Sequence, residues 1–96
     1  MKLPEVSHRE KARRFSVRLG DDVAYLSYER IDDKTLDYAH VWVPVEHRNR
    51  GIAAALTNAA LQYAENNAFK IVPTCPYVAA YVRRHGEFAN LVTDRA

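Results

Sequence analysis

Hydrophobic and polar residues alternate through the first half of the chain. Apolar side chains recur at nearly every second position in RRFSVRL (13–19) and in VAYLSYER (23–30), and GDD (20–22) separates the two runs. Alternation of this kind is typical of half-buried strands, and a Gly-Asp turn between them indicates a hairpin. The run TLDYAHVWV (35–43) is rich in β-branched and aromatic residues and stops at Pro44, which cannot donate to a sheet ladder. The first half therefore predicts a meander of three antiparallel strands.

The second half of the chain changes to a helical period. Within residues 51–66, apolar side chains recur every three or four positions, at Ile52, Leu56, Ala60 and Tyr63. That spacing predicts an amphipathic helix. The short apolar run FKIV (69–72) follows it and is typical of a buried strand, closed by Pro73. A second helix is predicted to run until Gly86, because glycine commonly ends helices.

The order of these elements predicts an α/β fold with a mixed sheet, in which an antiparallel meander is followed by β-α-β-α. The helix between the strands 35–43 and 69–72 is a crossover, so these two strands should be parallel and the connection right-handed. In open α/β sheets the ligand crevice lies beyond the carboxyl ends of parallel strands. Those ends lead into PVEHRNRG (44–51) and into PTCP, which contains Cys75. We therefore expect the arginine-rich loop and Cys75 to lie within on the order of 10 Å of each other.

Composition narrows the class of protein. A chain of 96 residues with one cysteine predicts a single compact domain, 1–96, that folds without an intramolecular disulfide in a reducing, cytoplasmic setting. No Cys/His spacing resembles a zinc site and no apolar run is long enough for a membrane span, so neither a metal nor a membrane is expected. A monomer is compatible with the sequence, which does not fix the oligomeric state.

Charge changes sign along the chain. The formal net charge of +2 is the sum of +4 over residues 1–20, −5 over residues 21–46 and +3 over residues 47–96. This mixed pattern is weaker than the concentrated basic face of most nucleic-acid-binding proteins. It argues against a nucleic acid as the main partner.

The loop EHRNRGIA (46–53) has the features of an anion site. The first four backbone N–H groups of a helix have no partner inside it, and the macrodipole places about half a positive charge at that end. Arg48 and Arg50 add forked donors that match phosphate oxygens, and Gly51 lets a ligand approach the backbone closely. The same residues would also suit an ordinary glycine-initiated helix with solvated arginines. The position at the end of a parallel strand favours the anion site.

The segment RNRGIA (48–53) resembles the Arg/Gln-x-x-Gly-x-Gly/Ala signature of the GNAT superfamily, the acetyl-CoA-dependent N-acetyltransferases. A strand ending in VWVPVEH precedes it, and an amphipathic helix, a second strand and CPYVAAYVRRHGEF follow it. This order is similar to the GNAT core over residues 15–88. PTCPYV (73–78) also resembles the P-x-C-x-Y-V stretch of a compact GNAT-like subgroup. The resemblance implies a GNAT-like fold, acetyl-CoA as co-substrate, and transfer of the acetyl group to an amine.

The resemblance also implies roles for individual positions. It implies that the pyrophosphate of coenzyme A is held by Arg48, Asn49, Arg50, Gly51, Ile52 and Ala53. It implies that the pantetheine arm lies beside Val41, Trp42 and Val43. It places Cys75 near the thioester and Tyr81 near the position of the tyrosine that protonates the departing thiolate, although Tyr81 is five residues before Gly86 rather than four. Larger members carry extra N-terminal helices at the acceptor site, for which a chain of 96 residues has no room.

Three roles are open for Cys75. Pro76 suits the first turn of a helix and Thr74 can serve as its N-cap, so the thiol lies at a positive helix end that favours a reactive thiolate. One mechanism passes the acetyl group through Cys75 as a thioester. A second is direct attack by the amine, with an N–H of the strand edge near Val41 donating to the oxyanion and Cys75 or Tyr81 protonating the leaving thiolate. Cys75 also fits a third role, as a small apolar residue in the seam between strand and helix.

Other aromatic and histidine residues are weaker candidates. The alternation predicts one strand face that carries Tyr38, His40 and Trp42, and we interpret this stripe as packing. His47 precedes the arginines and would suit a phosphate contact or a base. Tyr77 and Tyr81 are four residues apart and are interpreted as a helical packing pair.

The sequence thus predicts a small enzyme, an acetyl-CoA-dependent N-acetyltransferase whose acceptor is a small amine or a protein lysine. The alternative is a coenzyme A-binding or protein-interaction module without efficient catalysis. A basic nucleic-acid-binding domain is the third hypothesis.

Overall fold

A mixed sheet and two α-helices form most of the part of the chain that the structure describes. The computed structural model describes residues 5–93, with strands β1 (Ser7–Arg9), β2 (Arg14–Leu19), β3 (Asp22–Asp32), β4 (Thr35–Trp42) and β5 (Lys70–Val72), helices α1 (Ile52–Asn66) and α2 (Pro76–Arg84), and 3₁₀ helices at Val45–His47 and Gly86–Leu91. The sheet order is β1-β2-β3-β4-β5. The first three pairings are antiparallel and β4 pairs with β5 in parallel. This is the α/β fold with a mixed sheet that the sequence predicts.

Both ends of the described chain contain ordered elements that the sequence pattern does not predict. β1 pairs with β2 from Ser7↔Ser16 to Arg9↔Arg14, and its three residues are too few to show an alternation. At the other end the 3₁₀ helix Gly86–Leu91 packs into the core, and the Thr93 N–H donates to the Ile71 carbonyl at 2.9 Å. Both edges of the sheet are therefore extended beyond the predicted meander.

The hydrophobic core lies between one face of the sheet and the helices. Alternate residues of β2 to β4 are buried and face α1, which contacts β2, β3 and β5: Phe15, Val17, Ala24, Leu26, Tyr28, Leu36 and Tyr38. The Tyr38 hydroxyl donates to the Ala60 carbonyl of α1, which satisfies a buried polar group inside this core. Within residues 5–93, neither helix is long and apolar enough to cross a membrane.

A β-bulge in β4 changes which way its side chains point. Ser27 of β3 pairs with His40 and Tyr28 pairs with Tyr38, so Ala39 is an extra residue without a partner in this register. Because side chains alternate with period two, one extra residue moves the following ones to the other face. Tyr38 is buried whereas His40 and Trp42 are exposed. The prediction of a single face for these three side chains is therefore wrong.

The bulge lies where β4 separates from β5. Their parallel pairing covers only Thr35↔Lys70 to Asp37↔Val72. One further contact follows, from the Cys75 N–H to the Tyr38 carbonyl at 3.0 Å. Beyond it, the last residues of β4 have no strand beside them on that side within the described chain. The sheet is thus open at the carboxyl end of β4.

Candidate functional site

A cleft of about 340 Å³ occupies the opening at the end of β4. Its walls come from the end of β4, from the loop that follows, from the start of α1 and from α2. The lining residues are Val41, Trp42, Val43, His47, Arg48, Asn49, Gly51, Ile52, Ala53, Ala54 and Tyr77. Eight of the predicted coenzyme-binding residues thus border one cavity, at the strand end where the topology predicts a ligand crevice.

The loop before α1 turns through two left-handed residues. Asn49 has φ 67° and Gly51, the N-cap of α1, has φ 80°. Glycine and asparagine tolerate this conformation better than other residues. The first intrahelical bond runs from the Ala55 N–H to the Gly51 carbonyl at 3.0 Å. The N–H groups of the three preceding helical residues have no partner within the helix, and they start beside the cleft.

Arg48 is held at the mouth of the cleft by two contacts. Its Nε donates to the Val43 carbonyl at 2.9 Å, and its guanidinium carbon lies 5.2 Å from the centre of the Trp42 ring. These contacts use one donor and one face of a group that has five N–H donors. The terminal nitrogens of Arg48 therefore remain as donors to an anion.

His47 and Arg50 occupy different environments although both flank Arg48 in the loop. His47 lines the cleft, and its Nε2 lies 3.5 Å from an oxygen of Asp22, the first residue of β3. Arg50 is exposed and is not among the residues that line the cleft in the described structure. The loop thus directs Arg48 to the cavity and leaves Arg50 on the surface.

Cys75 and Tyr81, the two predicted catalytic residues, lie outside the cleft lining of the described structure. Cys75 is 6% exposed and belongs to the hydrophobic core. It is the N-cap of α2, without a side-chain capping bond, a position for which Thr74 is the candidate in the sequence. Tyr81 stacks on His85 with ring centres 4.0 Å apart. The catalytic roles of Cys75 and Tyr81 stay predictions.

Tyr77 is the aromatic residue that α2 brings to the cleft. It is 40% exposed and lines the cavity, with its ring centre 6.4 Å from that of Tyr81. Partial burial raises the pKa of the Tyr77 phenol above its usual value, and Arg84 opposes this shift. The phenol therefore keeps its proton at neutral pH. The spacing of Tyr77 and Tyr81 predicts packing only, although the place of Tyr77 in the first turn of α2, facing a strand end, is a usable signal.

The described residues contain no group of three or more histidine, cysteine or acidic side chains that could hold a metal ion. The donors at the cleft are instead backbone N–H groups, a guanidinium and a phenol. Such donors bind anions and stabilise negative charge. The open strand edge, the helix N-terminus and the cleft between them together define a candidate site for an extended, anionic ligand.

Residues 14–91 match the sequence model of the GCN5-related N-acetyl-transferase family, and the chain belongs to this family. Protein NATD1 of Xenopus tropicalis is 42% identical over 82 residues, which cover 83% of this chain and 75% of that protein. The mouse protein NATD1 is 39% identical over 82 residues, covering 83% and 74% of the two chains. The predicted membership of the GNAT superfamily is confirmed.

The fold is confirmed by a solved structure. The solution structure of a GCN5-like protein from Staphylococcus aureus matches with a TM-score of 0.73, covering 100% of this chain and 94% of the other. The two sequences are 21% identical. At that identity the likeness describes the arrangement of strands and helices and carries no statement about substrates.

Proposed function

We propose that the protein binds acetyl-CoA in the cleft and transfers the acetyl group to an amine. The observation that carries this proposal is the meeting of an unpaired strand edge with a helix N-terminus at one cavity. The strand edge suits an extended, amide-containing arm, and the helix N-terminus suits a phosphate. Membership of the acetyltransferase family supports the same assignment.

The chain has a donor set for the pyrophosphate of the coenzyme. The N–H groups of Ile52, Ala53 and Ala54 start the helix, and the small side chains of the two alanines leave the backbone accessible. Arg48 adds a charged donor that its contacts with Val43 and Trp42 hold in place. Arg50 is exposed and would add only a screened attraction.

Direct transfer to the amine fits the site better than a cysteine intermediate. Acetyl-CoA supplies the thioester carbonyl that an amine attacks. In this mechanism one strand-edge N–H near Val41 and Trp42 donates to the developing oxyanion, and the Tyr77 phenol, which lines the cleft and keeps its proton, protonates the departing thiolate. Cys75 is buried outside the cleft lining, which favours its role as a core residue.

The two tyrosines of α2 provide a matched test of this mechanism. Tyr77→Phe removes the phenol at the cleft, and Tyr81→Phe removes the same group four residues later. We expect Tyr77→Phe to lower kcat by about a hundredfold with little change in KM, while Tyr81→Phe retains most of the activity. A loss of activity in Tyr81→Phe alone would contradict the assignment of Tyr77.

Intact-mass measurement after incubation with acetyl-CoA tests the role of Cys75. We expect no acetyl adduct on the wild-type chain and near wild-type turnover in Cys75→Ala. A stable adduct that disappears in Cys75→Ala would instead establish the thioester route.

Calorimetric titration with coenzyme A, together with turnover on small amines and lysine peptides, tests the function itself. Binding and turnover are both expected. Binding without turnover on any acceptor would favour the coenzyme-binding module, and absence of binding would contradict the proposal.

A further inference from the structure

No described element covers the face of the sheet opposite the core, and we call it the outer face. It consists of Ser7, Arg9, Arg14, Ser16, Arg18, Val23, Tyr25, Ser27, His40 and Trp42. All of these side chains are exposed or partly exposed, because both described helices belong to the layer on the other side. Within residues 5–93, a surface across four strands is therefore open to a partner.

Three arginines dominate the charge of the outer face. Arg9 and Arg14 are directly opposed on β1 and β2, and Arg18 lies on the same face further along β2. They surround a depression of about 410 Å³. In the described chain Glu29 pairs with Arg13 and Asp22 lies against His47, so neither acid neutralises these three arginines. The outer face is thus a concentrated positive patch on a chain whose net charge is only +2.

A row of arginine and aromatic side chains connects this patch to the cleft. The Arg14 guanidinium lies 4.2 Å from the centre of the Tyr25 ring. Tyr25 is opposed to Trp42 across β3 and β4, and Arg48 lies over the Trp42 ring at 5.2 Å. Stacking on the rings orders the guanidinium groups and leaves their edge N–H donors free. The row begins at the arginine patch and ends at a residue of the cleft mouth.

We propose that the outer face is a docking surface for an acidic polypeptide segment. Carboxylates match the forked donors of arginine, and an extended segment can follow the positive patch towards the cleft. Charge complementarity is the observation that selects this partner, since the three arginines have no ion pair within residues 5–93 and no acidic side chain of those residues lines the depression that they surround. The proposal does not depend on acetyl transfer, because it concerns binding alone.

Two other occupants fit the outer face less well. Single-stranded nucleic acids need free aromatic faces for base stacking, but Arg14 and Arg48 already lie over the rings of Tyr25 and Trp42. A second copy that packed through the same face in a two-fold dimer would bring its three arginines against these three, and like charges repel.

Fluorescence anisotropy with a labelled glutamate-rich peptide tests the proposal. We expect salt-sensitive binding, and a loss of affinity of about tenfold in the triple variant Arg9→Gln, Arg14→Gln, Arg18→Gln. The matched control is the triple variant Lys34→Gln, Arg83→Gln, Arg84→Gln, which removes the same amount of charge from positions outside the outer face. It should change the affinity for the peptide about twofold or less. A single-stranded oligonucleotide of equal charge is the competing probe.

The unmodified chain gives a second readout. Trp42 is the only tryptophan, and it lies on the outer face, so addition of the acidic peptide should change its fluorescence. Four results would overturn the proposal: no peptide binding, an equal loss in the control variant, tighter binding of the oligonucleotide, or a dimer in sedimentation that the triple variant dissociates. Failure of any of these tests would leave coenzyme binding in the cleft unaffected.

Discussion

The two junctions from parallel strand to helix look alike in sequence but differ in the structure. Each runs from a strand through a proline to a helix start, at Pro44 after β4 and at Pro73 after β5. The first junction opens onto the cleft, and its residues Arg48, Asn49 and Gly51 line the cavity. The second is closed, with Cys75 buried and its N–H bonded to the carbonyl of Tyr38.

The length and backbone of the connecting segment explain the difference. Seven residues separate Pro44 from the first residue of α1, and they include two left-handed positions that turn the chain outward. Only two residues separate Pro73 from α2, so the second helix begins against the strand end. A proline that ends the strand is therefore not enough to make a helix N-terminus accessible to a ligand. The connecting segment must also be long enough to hold the helix start away from the strand end.

The largest expected contrast is in stability. Ile71 is 0% exposed at the closed junction, and Ile71→Ala should lower the free energy of unfolding by about 3 kcal/mol. Val45 is 68% exposed in the open junction, and Val45→Ala should change it by less than about 0.5 kcal/mol. Urea unfolding measures both values. Similar losses in the two variants would show that the open junction is part of the core.

The next contrast is the response to alkaline pH. Burial raises the pKa of Tyr28 to about 12 from its usual 10.0, and burial also raises the pKa of Tyr38, beside the closed junction. Both phenols ionise more easily in the unfolded chain, so their contribution is complete below pH 10 and is lost as the pH rises. Ionisation of each phenol in the unfolded chain should lower the free energy of unfolding by about 1.4 kcal/mol for every pH unit above pH 10.

Two phenylalanine variants check this assignment by urea unfolding on both sides of pH 10. Tyr38→Phe should clearly reduce the alkaline slope. Tyr77→Phe, at the partly exposed open junction, should reduce it less. An unchanged slope in Tyr38→Phe would contradict the assignment.

A smaller contrast concerns the two arginines of the open junction. Arg48 lines the cleft and Arg50 does not, so Arg48→Ala should weaken coenzyme A binding about tenfold, the loss expected for a charge-assisted hydrogen bond. Arg50→Ala should weaken it about twofold. Titration calorimetry compares the two. Equal effects would mean that the whole loop attracts the coenzyme and that Arg48 has no directed contact.

The smallest expected effects come from two glycines with positive φ. Comparing them distinguishes the strain of the backbone conformation from an obstruction of ligand binding. Gly51 and Gly20 have φ of +80° and +67°, and a Cβ at either would meet no other atom within 4 Å. Alanine at either position should therefore cost about 1 kcal/mol of stability. Only Gly51→Ala should also weaken coenzyme A binding. An equal loss of coenzyme affinity in Gly20→Ala would show that the effect is a general loosening of the fold.

Local sequence patterns account for the element order, the parallel pair and the open loop. Periodicity and the positions of Pro44 and Gly51 are properties of neighbouring residues, so one sequence is enough to read them. The bulge at Ala39 depends on the register between two strands, which no local pattern specifies. The contrast between Tyr77 and Tyr81 depends on how α2 is rotated against β4, and the burial of Cys75 depends on packing between distant segments.

The bond from Thr93 to Ile71 has a consequence for aggregation. β5 is short, but it lies at the border of the sheet, where an uncovered strand would recruit the same strand of another molecule. The Thr93 N–H donates to the Ile71 carbonyl, and Val92 forms a parallel bridge with Ile71. The tail thereby covers this border. Shortening the chain to residue 90 would remove the cover, and the shortened protein should form edge-to-edge oligomers at concentrations where the intact chain does not.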